Sequence, residues 1–190
     1  MIKELVKKAR SYRRFYQNEQ ISEKILRELI DLARLGGSAI NKQPLKYMIV
    51  NTPETNARIF DTLGWAGLLP DWSGPEEGER PSAYIICFLD TSISERAEVD
   101  LGIATQNILL GAVDRELGGC RIGNFTPEIN NIIKIPENLK VMLVIALGKP
   151  KEKVIVESMP SNGDFKYWRD EEGIHYVPKR SLEEVLVKKL

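Results

Sequence analysis

The sequence predicts an α+β fold, and three observations lead to it. Short apolar runs without helical period, Lys46–Asn51, Ala83–Leu89 and Lys140–Leu147, read as strands. Among them stand stretches in which apolar residues recur at helical spacing behind capping residues. Neither an internal repeat nor a low-complexity tract interrupts the mixture. With 190 residues, 43% of them apolar, the chain can enclose one core that buries roughly 70% of its unfolded surface. One domain over residues 1–190 is the expectation.

Taken in order, Ile2 to Ala9 is expected to form a short helix. Ser22 caps a second, whose Ile25, Leu26, Leu29, Ile30 and Ala33 fall on one face and which Gly36-Gly37 stops. Lys46–Asn51 follows as a buried strand, and Thr52-Pro53 opens a helix with Ile59, Phe60 and Leu63 facing inward. Trp65 to Pro81 is dense in proline and glycine and carries Trp65 and Trp72, which suits a long surface loop; the two tryptophans are candidates for a lid over a substrate. The longest helix runs from about Glu95 to Leu117, with Gly102, Ala104, Gly111 and Ala112 set among Leu101, Ile108 and Leu109, so that something packs closely against it. Gly118 to Gly123 reads as a glycine-rich turn, Thr126-Pro127 as the start of a capped helix, and Lys140–Leu147 as the last core strand. Residues 150–190 are expected to form a C-terminal extension: a hairpin of Phe165–Arg169 and Ile174–Val177 around the loop Asp170-Glu171-Glu172-Gly173, then a short helix from Leu182 to Leu190.

Composition excludes several classes of function. Lys plus Arg and Asp plus Glu number 27 each, so no global field draws the chain to nucleic acid or membrane, and any anion site must be local. Met1-Ile2-Lys3-Glu4-Leu5 lacks the apolar region of a signal peptide, and no run is long enough to span a bilayer, so a soluble cytoplasmic protein is expected. Cys87 and Cys120 are too isolated for a disulfide framework or a structural zinc site, and no metal is expected. There is no P-loop and no G-x-G-x-x-G after a strand. His175 is the single histidine and no G-x-S-x-G elbow accompanies it, while Asp170-Glu171-Glu172 reads as a solvated turn. No side chain stands out as catalytic, and a chain so poor in such groups can carry its chemistry on a cofactor.

The stretch Ala9-Arg10-Ser11-Tyr12-Arg13-Arg14-Phe15 supplies what an anionic cofactor needs. Arg10, Ser11 and Arg13 put two planar charged forks and a hydroxyl within four residues, suited to a terminal phosphate. Gly37-Ser38-Ala39-Ile40-Asn41-Lys42-Gln43-Pro44 is a polar turn whose small residues let backbone approach a flat ligand, with Asn41 and Gln43 as amide donors and acceptors. Lys179 and Arg180 add two cations just before the last helix.

In these segments the sequence resembles the nitroreductase family of FMN-dependent oxidoreductases. The family's R-R-S-x-R-x-F is similar to residues 9–15, its P-S-x-x-N-x-Q-P-W to residues 37–45, its D-x-G-x-A-x-Q-N-x-L-L helix to Asp100–Leu110, its G-x-G-x-x-x-I-G turn to Gly118–Gly123, and its closing R-[KR]-P-L-E-E to residues 179–185. The five blocks occur in the family's order over nearly the whole chain. Ala9 stands where the family has arginine, and Gly37 and Leu45 stand for its proline and tryptophan.

The resemblance implies a mixed or antiparallel central sheet flanked by helices, in an intertwined homodimer whose seam is the long helix. It implies an FMN whose phosphate and ribityl chain lie on Arg10, Ser11 and Arg13 with Lys179 or Arg180, and whose ring lies beside Ser38, Asn41 and Gln43. The backbone of Ile122 and Gly123 would reach the N5 edge. NADH or NADPH would donate hydride to N5, and a nitroaromatic, quinone or similar flat acceptor would then be reduced in a ping-pong cycle. Two other readings compete: a flavin-holding or nucleotide-sensing module without turnover, and a nucleic-acid arm built on Arg10–Arg14, which the zero net charge disfavours.

Overall fold

The computed structural model describes residues 2–188. Its main sheet is antiparallel throughout and has the strand order β1-β2-β4-β3, from β1 (Leu45–Val50), β2 (Ala83–Asp90), β3 (Gly118–Ile122) and β4 (Leu139–Gly148). Every residue of β2 is buried, because the strand is central and both of its faces are covered. Ala83, Ile85 and Cys87 point to one face, which packs on α2 (Glu23–Arg34) and α4 (Glu98–Asp114). Tyr84, Ile86 and Phe88 point to the other, toward α3 (Pro53–Phe60) and α5 (Ile129–Ile133). A strand covered on both faces loses the apolar–polar alternation and appears in sequence as one apolar run. The expectation of a buried first strand needs correction, since β1 is an edge strand and is mostly half-buried.

Local chemistry sets the helix limits. α1 (Ile2–Lys8) precedes the strap formed by residues 9–15. Ser22 caps α2 through its Oγ, which accepts from the Ile25 amide. α4 is shorter at both ends than the 95–117 span read from sequence, and it lies so close to α2 that a Cβ on Gly111 would come 2.3 Å from Leu32 Cδ1. Its opposite face leaves Val99 73% exposed and Ile103 39% exposed. The helix expected from Thr126-Pro127 begins later, at Ile129, with no side-chain cap; the Ile129 amide instead donates to the Thr126 carbonyl in a preceding turn.

Two further expectations are corrected. Gly118–Ile122 is a strand, β3, rather than a glycine-rich turn: its backbone pairs with β4, and its glycines serve close approach. A Cβ on Gly118 would meet the Tyr12 ring at 2.6 Å, and one on Gly119 would meet the Ala146 carbonyl at 2.7 Å. Secondly, the C-terminal extension is richer than a hairpin. The hairpin of β6 (Trp168–Arg169) and β7 (His175–Lys179) is present, with Gly173 at φ 77° in its loop, but β5 (Val154–Ser158) pairs in parallel with β7 to make a second sheet of order β5-β7-β6. The final helix, α6 (Leu182–Val185), carries a Ser181–Glu184 capping box and is shorter than the span to Leu190, whose last two residues lie outside the described ones.

Candidate functional site

Residues 9–15 cross the start of β3 as a strap. Ser11 bridges to Gly119 in parallel, the Tyr12 amide donates to the Gly119 carbonyl at 3.1 Å, and Phe15 is fully buried beside Gly148. This seating turns the Arg10 side chain back over α1. One of its terminal nitrogens donates to the Val6 carbonyl at 2.7 Å, and its Nε is buried with no hydrogen-bond partner. The Ser11 side is exposed. From β3 itself, Arg121 reaches α4, where Nε donates to Thr105 Oγ1 and Nη2 to Gln106 Oε1, both at 2.8 Å. Burial chiefly, and the nearby Arg10 charge as well, push the Arg121 pKa down from its ordinary value. Two guanidiniums near one another make this edge of β3 locally electropositive. Ile122 is buried and Gly123 is exposed just beyond it.

Arg13 lies elsewhere. Only 8% exposed, it sets its guanidinium over the Tyr167 ring at 4.7 Å and donates from Nη1 to His175 Nε2 at 3.2 Å. Its backbone amide and that of Arg14 both donate to Glu152 Oε1, and Arg169 donates to Glu152 Oε2 at 2.9 Å. The strap is therefore pinned to the second sheet through one buried carboxylate. Arg14 pairs with Glu79, whose other ion pair is Lys151 at 3.0 Å; these cations hold the Glu79 carboxyl down to about 2.

The polar turn after α2 forms a second group. Ser38 Oγ donates to Asp100 Oδ2 at 2.5 Å and accepts from the Gln43 amide at 2.8 Å, while the Ala39 amide donates to Asp100 Oδ1 at 3.0 Å. The turn is tight enough to place Ile40, Asn41 and Gln43 at φ of 46°, 56° and 53°. A cavity of about 240 Å³ opens beside it, lined by Ser38, Gln43, Tyr47, Asp100 and Ala104. Burial first, then Cys87 and Asp100, keep the Tyr47 phenol protonated well above its ordinary range.

Lys179 and Arg180 form a third group at the end of β7. Both are exposed, and Arg180 pairs with Glu184 at 3.3 Å. Among the described residues no hydrogen bond or ion pair links them to Arg10 or Ser11. The candidate lid residues are partly buried: Trp65 lies tilted by 33° against Phe60 at 5.6 Å and close to Gly74, and Trp72 lies beneath the Arg169 guanidinium at 4.2 Å. Sequence reasoning passed over Asp100, Thr105, Gln106 and Arg121 as members of matched blocks without roles, and found no sign of Glu152. Cys120 is buried in β3, and burial raises its thiol pKa.

An antiparallel sheet with helices on both faces, an arginine-bearing strap laid on one strand and a polar turn tied to the neighbouring helix define an α+β fold of the nitroreductase type. A relative from Methanothermobacter thermautotrophicus, named "Putative NADH dehydrogenase/NAD(P)H nitroreductase", is 30% identical over 157 residues, covering 78% of this chain and 77% of its own length. The chain belongs to the nitroreductase family. The crystal structure of a nitroreductase family protein from Streptococcus pneumoniae aligns over 100% of both chains with a TM-score of 0.72 at 20% identity. An FMN-dependent nitroreductase from Clostridium difficile aligns over 78% of this chain and 89% of its own, with a TM-score of 0.61 at 26% identity. No family model matches the chain. Among the described residues no helix is long and apolar enough to cross a membrane.

Proposed function

We propose that this chain is an FMN-dependent NAD(P)H oxidoreductase that reduces a flat, electron-poor acceptor such as a nitroaromatic or quinone, donor and acceptor binding in turn. One observation carries the reading: Arg10, fixed by the Ser11–Gly119 bridge, buries an Nε without a partner at the electropositive edge of β3. A buried donor left unpaired is costly, and a phosphate would satisfy it through a charge-assisted hydrogen bond. Arg10 and Ser11 would hold the phosphate and ribityl chain, with Lys179 or Arg180 supplied by the tail. Arg13, engaged with His175, would contribute by shaping the strap. Ser38, Asn41 and Gln43 would border the ring, and the backbone at Ile122 and Gly123 would face its reactive edge. When bound, the flavin supplies the hydride chemistry, taking a hydride from NADH or NADPH and passing it to the acceptor.

The chain's own part is binding, orientation and electrostatics. Asp100 fixes the turn that carries Ser38, and Arg121 keeps positive charge beside the place where a reduced flavin's negative charge would need it. The reading includes two copies wrapped together along the exposed face of α4, a small-molecule acceptor, no nucleic-acid or membrane partner, and residence in a reducing cytoplasm, where the free thiols Cys87 and Cys120 would persist. Trp65 and Trp72 would wall the acceptor side. The visible spectrum of freshly purified protein, followed anaerobically on adding NADH or NADPH in separate cuvettes, tests the proposal. Yellow protein bleached by either donor is expected. Yellow protein bleached by neither would favour a flavin-holding module, and a colourless protein that takes up no FMN would end the reading.

A further inference from the structure

On the face of the sheet opposite α4, a cavity of about 390 Å³ lies between α3, the segment before β2 and the chain around Gln17. Its size falls within the range of small-molecule sites. Four polar atoms of its lining are buried and have no hydrogen-bond partner: Asn56 Oδ1, Arg80 Nε, Ser82 Oγ and Tyr84 Oη. Three of these side chains are more than nine-tenths buried, at 7%, 1% and 0% exposure for Asn56, Ser82 and Tyr84. Of the eight such atoms among the described residues, half therefore line this one cavity. Buried polar groups are ordinarily paired, so a cluster of orphans around a space marks where a missing partner belongs.

The chemistry of that partner follows from which lone pairs and protons are free. The Asn56 amide nitrogen already donates to the Ser82 carbonyl at 2.8 Å, which fixes the amide and leaves its oxygen as an acceptor in need of a donor. Burial keeps the Tyr84 phenol protonated, so its hydroxyl can donate, as can that of Ser82. Arg80 makes no ion pair among the described residues. Its guanidinium lies over the Phe60 ring at 4.2 Å, and its backbone amide is held by Gln17 Oε1 at 3.2 Å. The lining thus holds one cation and two hydroxyl donors suited to an anion, with Asn56 as a separate acceptor; its one carboxylate, Glu77, is exposed, and Phe60 with Pro53 offers an apolar wall. We propose that this cavity binds a small aromatic carboxylate that carries a second hydrogen-bond donor, its carboxylate on Arg80, Ser82 and Tyr84 and its donor on Asn56. The site stands on the other side of the sheet from Arg121 and Asp100 and does not depend on flavin binding.

Calorimetric titration of the purified full chain with 4-hydroxybenzoate tests it, with and without added FMN. Saturable binding is expected at millimolar concentration or below, unchanged by FMN, and weakened about tenfold or more in each of Tyr84→Phe and Arg80→Gln, as loss of one charge-assisted or buried hydrogen bond implies. Benzoate, which lacks the donor, and 4-hydroxybenzamide, which lacks the charge, are expected to bind more weakly than 4-hydroxybenzoate. Without ligand, Tyr84→Phe should melt no lower than the parent, because the hydroxyl it removes has no partner. Absent binding, equal binding by both variants, equal binding of all three compounds or displacement by FMN would each overturn the assignment. So would a lowered melting temperature for Tyr84→Phe, which would show that the hydroxyl is already satisfied by ordered water.

Discussion

Arg13 Nη1 donates to His175 Nε2 at 3.2 Å with both side chains buried, so the imidazole that the sequence offered as an isolated histidine serves as an acceptor for an arginine. Accepting at Nε2 requires a neutral ring protonated at Nδ1. Burial, then the Arg13 and Arg169 charges, push the His175 pKa from an ordinary 6.5 down to about 4. Between those values the unfolded chain binds a proton that the folded chain refuses, so stability falls as pH drops from about 6.5 to about 4. The loss is on the order of 3 kcal/mol. Glu79, held at about 2 against an ordinary 4.5, adds a second loss over that lower window. Urea midpoints measured across this pH range should show the slope, and His175→Gln, which keeps an acceptor for Arg13 but cannot titrate, should flatten its upper part.

Among the described residues Glu152 is the one carboxylate that holds the strap to the second sheet, and its side chain has no exposed surface. Glu152→Gln removes the charge that pairs with Arg169 and that accepts from the Arg13 and Arg14 backbone amides, while keeping the shape. An uncompensated buried charge costs about 3–5 kcal/mol, so the unfolding free energy read from a urea titration should fall by that amount. A variant as stable as the parent would show that Arg169 needs no counter-charge.

Gly119 has no room for a methyl group. A Cβ there would come 2.7 Å from the Ala146 carbonyl, 2.8 Å from Leu109 and 2.9 Å from Leu147, and the carbonyl belongs to a core strand that cannot give way. Gly119→Ala should cost about 1–3 kcal/mol and, by shifting the residue that bridges Ser11, should lower the fraction of protein purified with flavin. Absorbance of the purified variant and a thermal melt read the two effects separately.

Ile40 holds φ 46° while 86% exposed. A β-branched residue in the left-handed region is strained and gains nothing here from burial. Ile40→Asn should raise stability by about 1 kcal/mol, since Asn visits this region readily. A lower melting temperature would show that the Ile40 side chain has a partner that this copy of the chain does not provide, as the proposed dimer implies.

Arg10→Ala combined with Arg180→Ala should release FMN while the chain stays folded. Hydrogen bonds to charged groups are worth about 1.5–3 kcal/mol each, so flavin affinity should fall at least tenfold. Full flavin retention with an unchanged circular dichroism spectrum would remove the proposed phosphate site.

The elements were legible where periodicity or chemistry was local. Ser22 and Gly36-Gly37 bounded α2, β2 and β4 stood out as apolar runs, and Asp170–Gly173 marked the β6–β7 hairpin. β5 escaped because Val154–Ser158 is short, half-exposed and flanked by charges, and it becomes a strand only by pairing with β7, some twenty residues further along. The glycines of β3 suggested a turn, since sequence does not distinguish a glycine that bends backbone from one that admits a neighbour.

The sequence by itself determined the α+β class, the places of β1, β2 and β4 and of the longer helices, and the segments that could meet an anion, because each depends on spacing within a few residues. Only the tertiary structure decided how those cations divide. It set Arg10 at the edge of β3 with an unpartnered nitrogen, buried Arg13 against His175 and Glu152, and gathered Asn56, Arg80, Ser82 and Tyr84 around one cavity. Burial and pairing are properties of residues distant in the chain that the fold brings together, and a guanidinium three positions from another carries no local mark of which will keep an unpartnered nitrogen and which will rest on a buried imidazole.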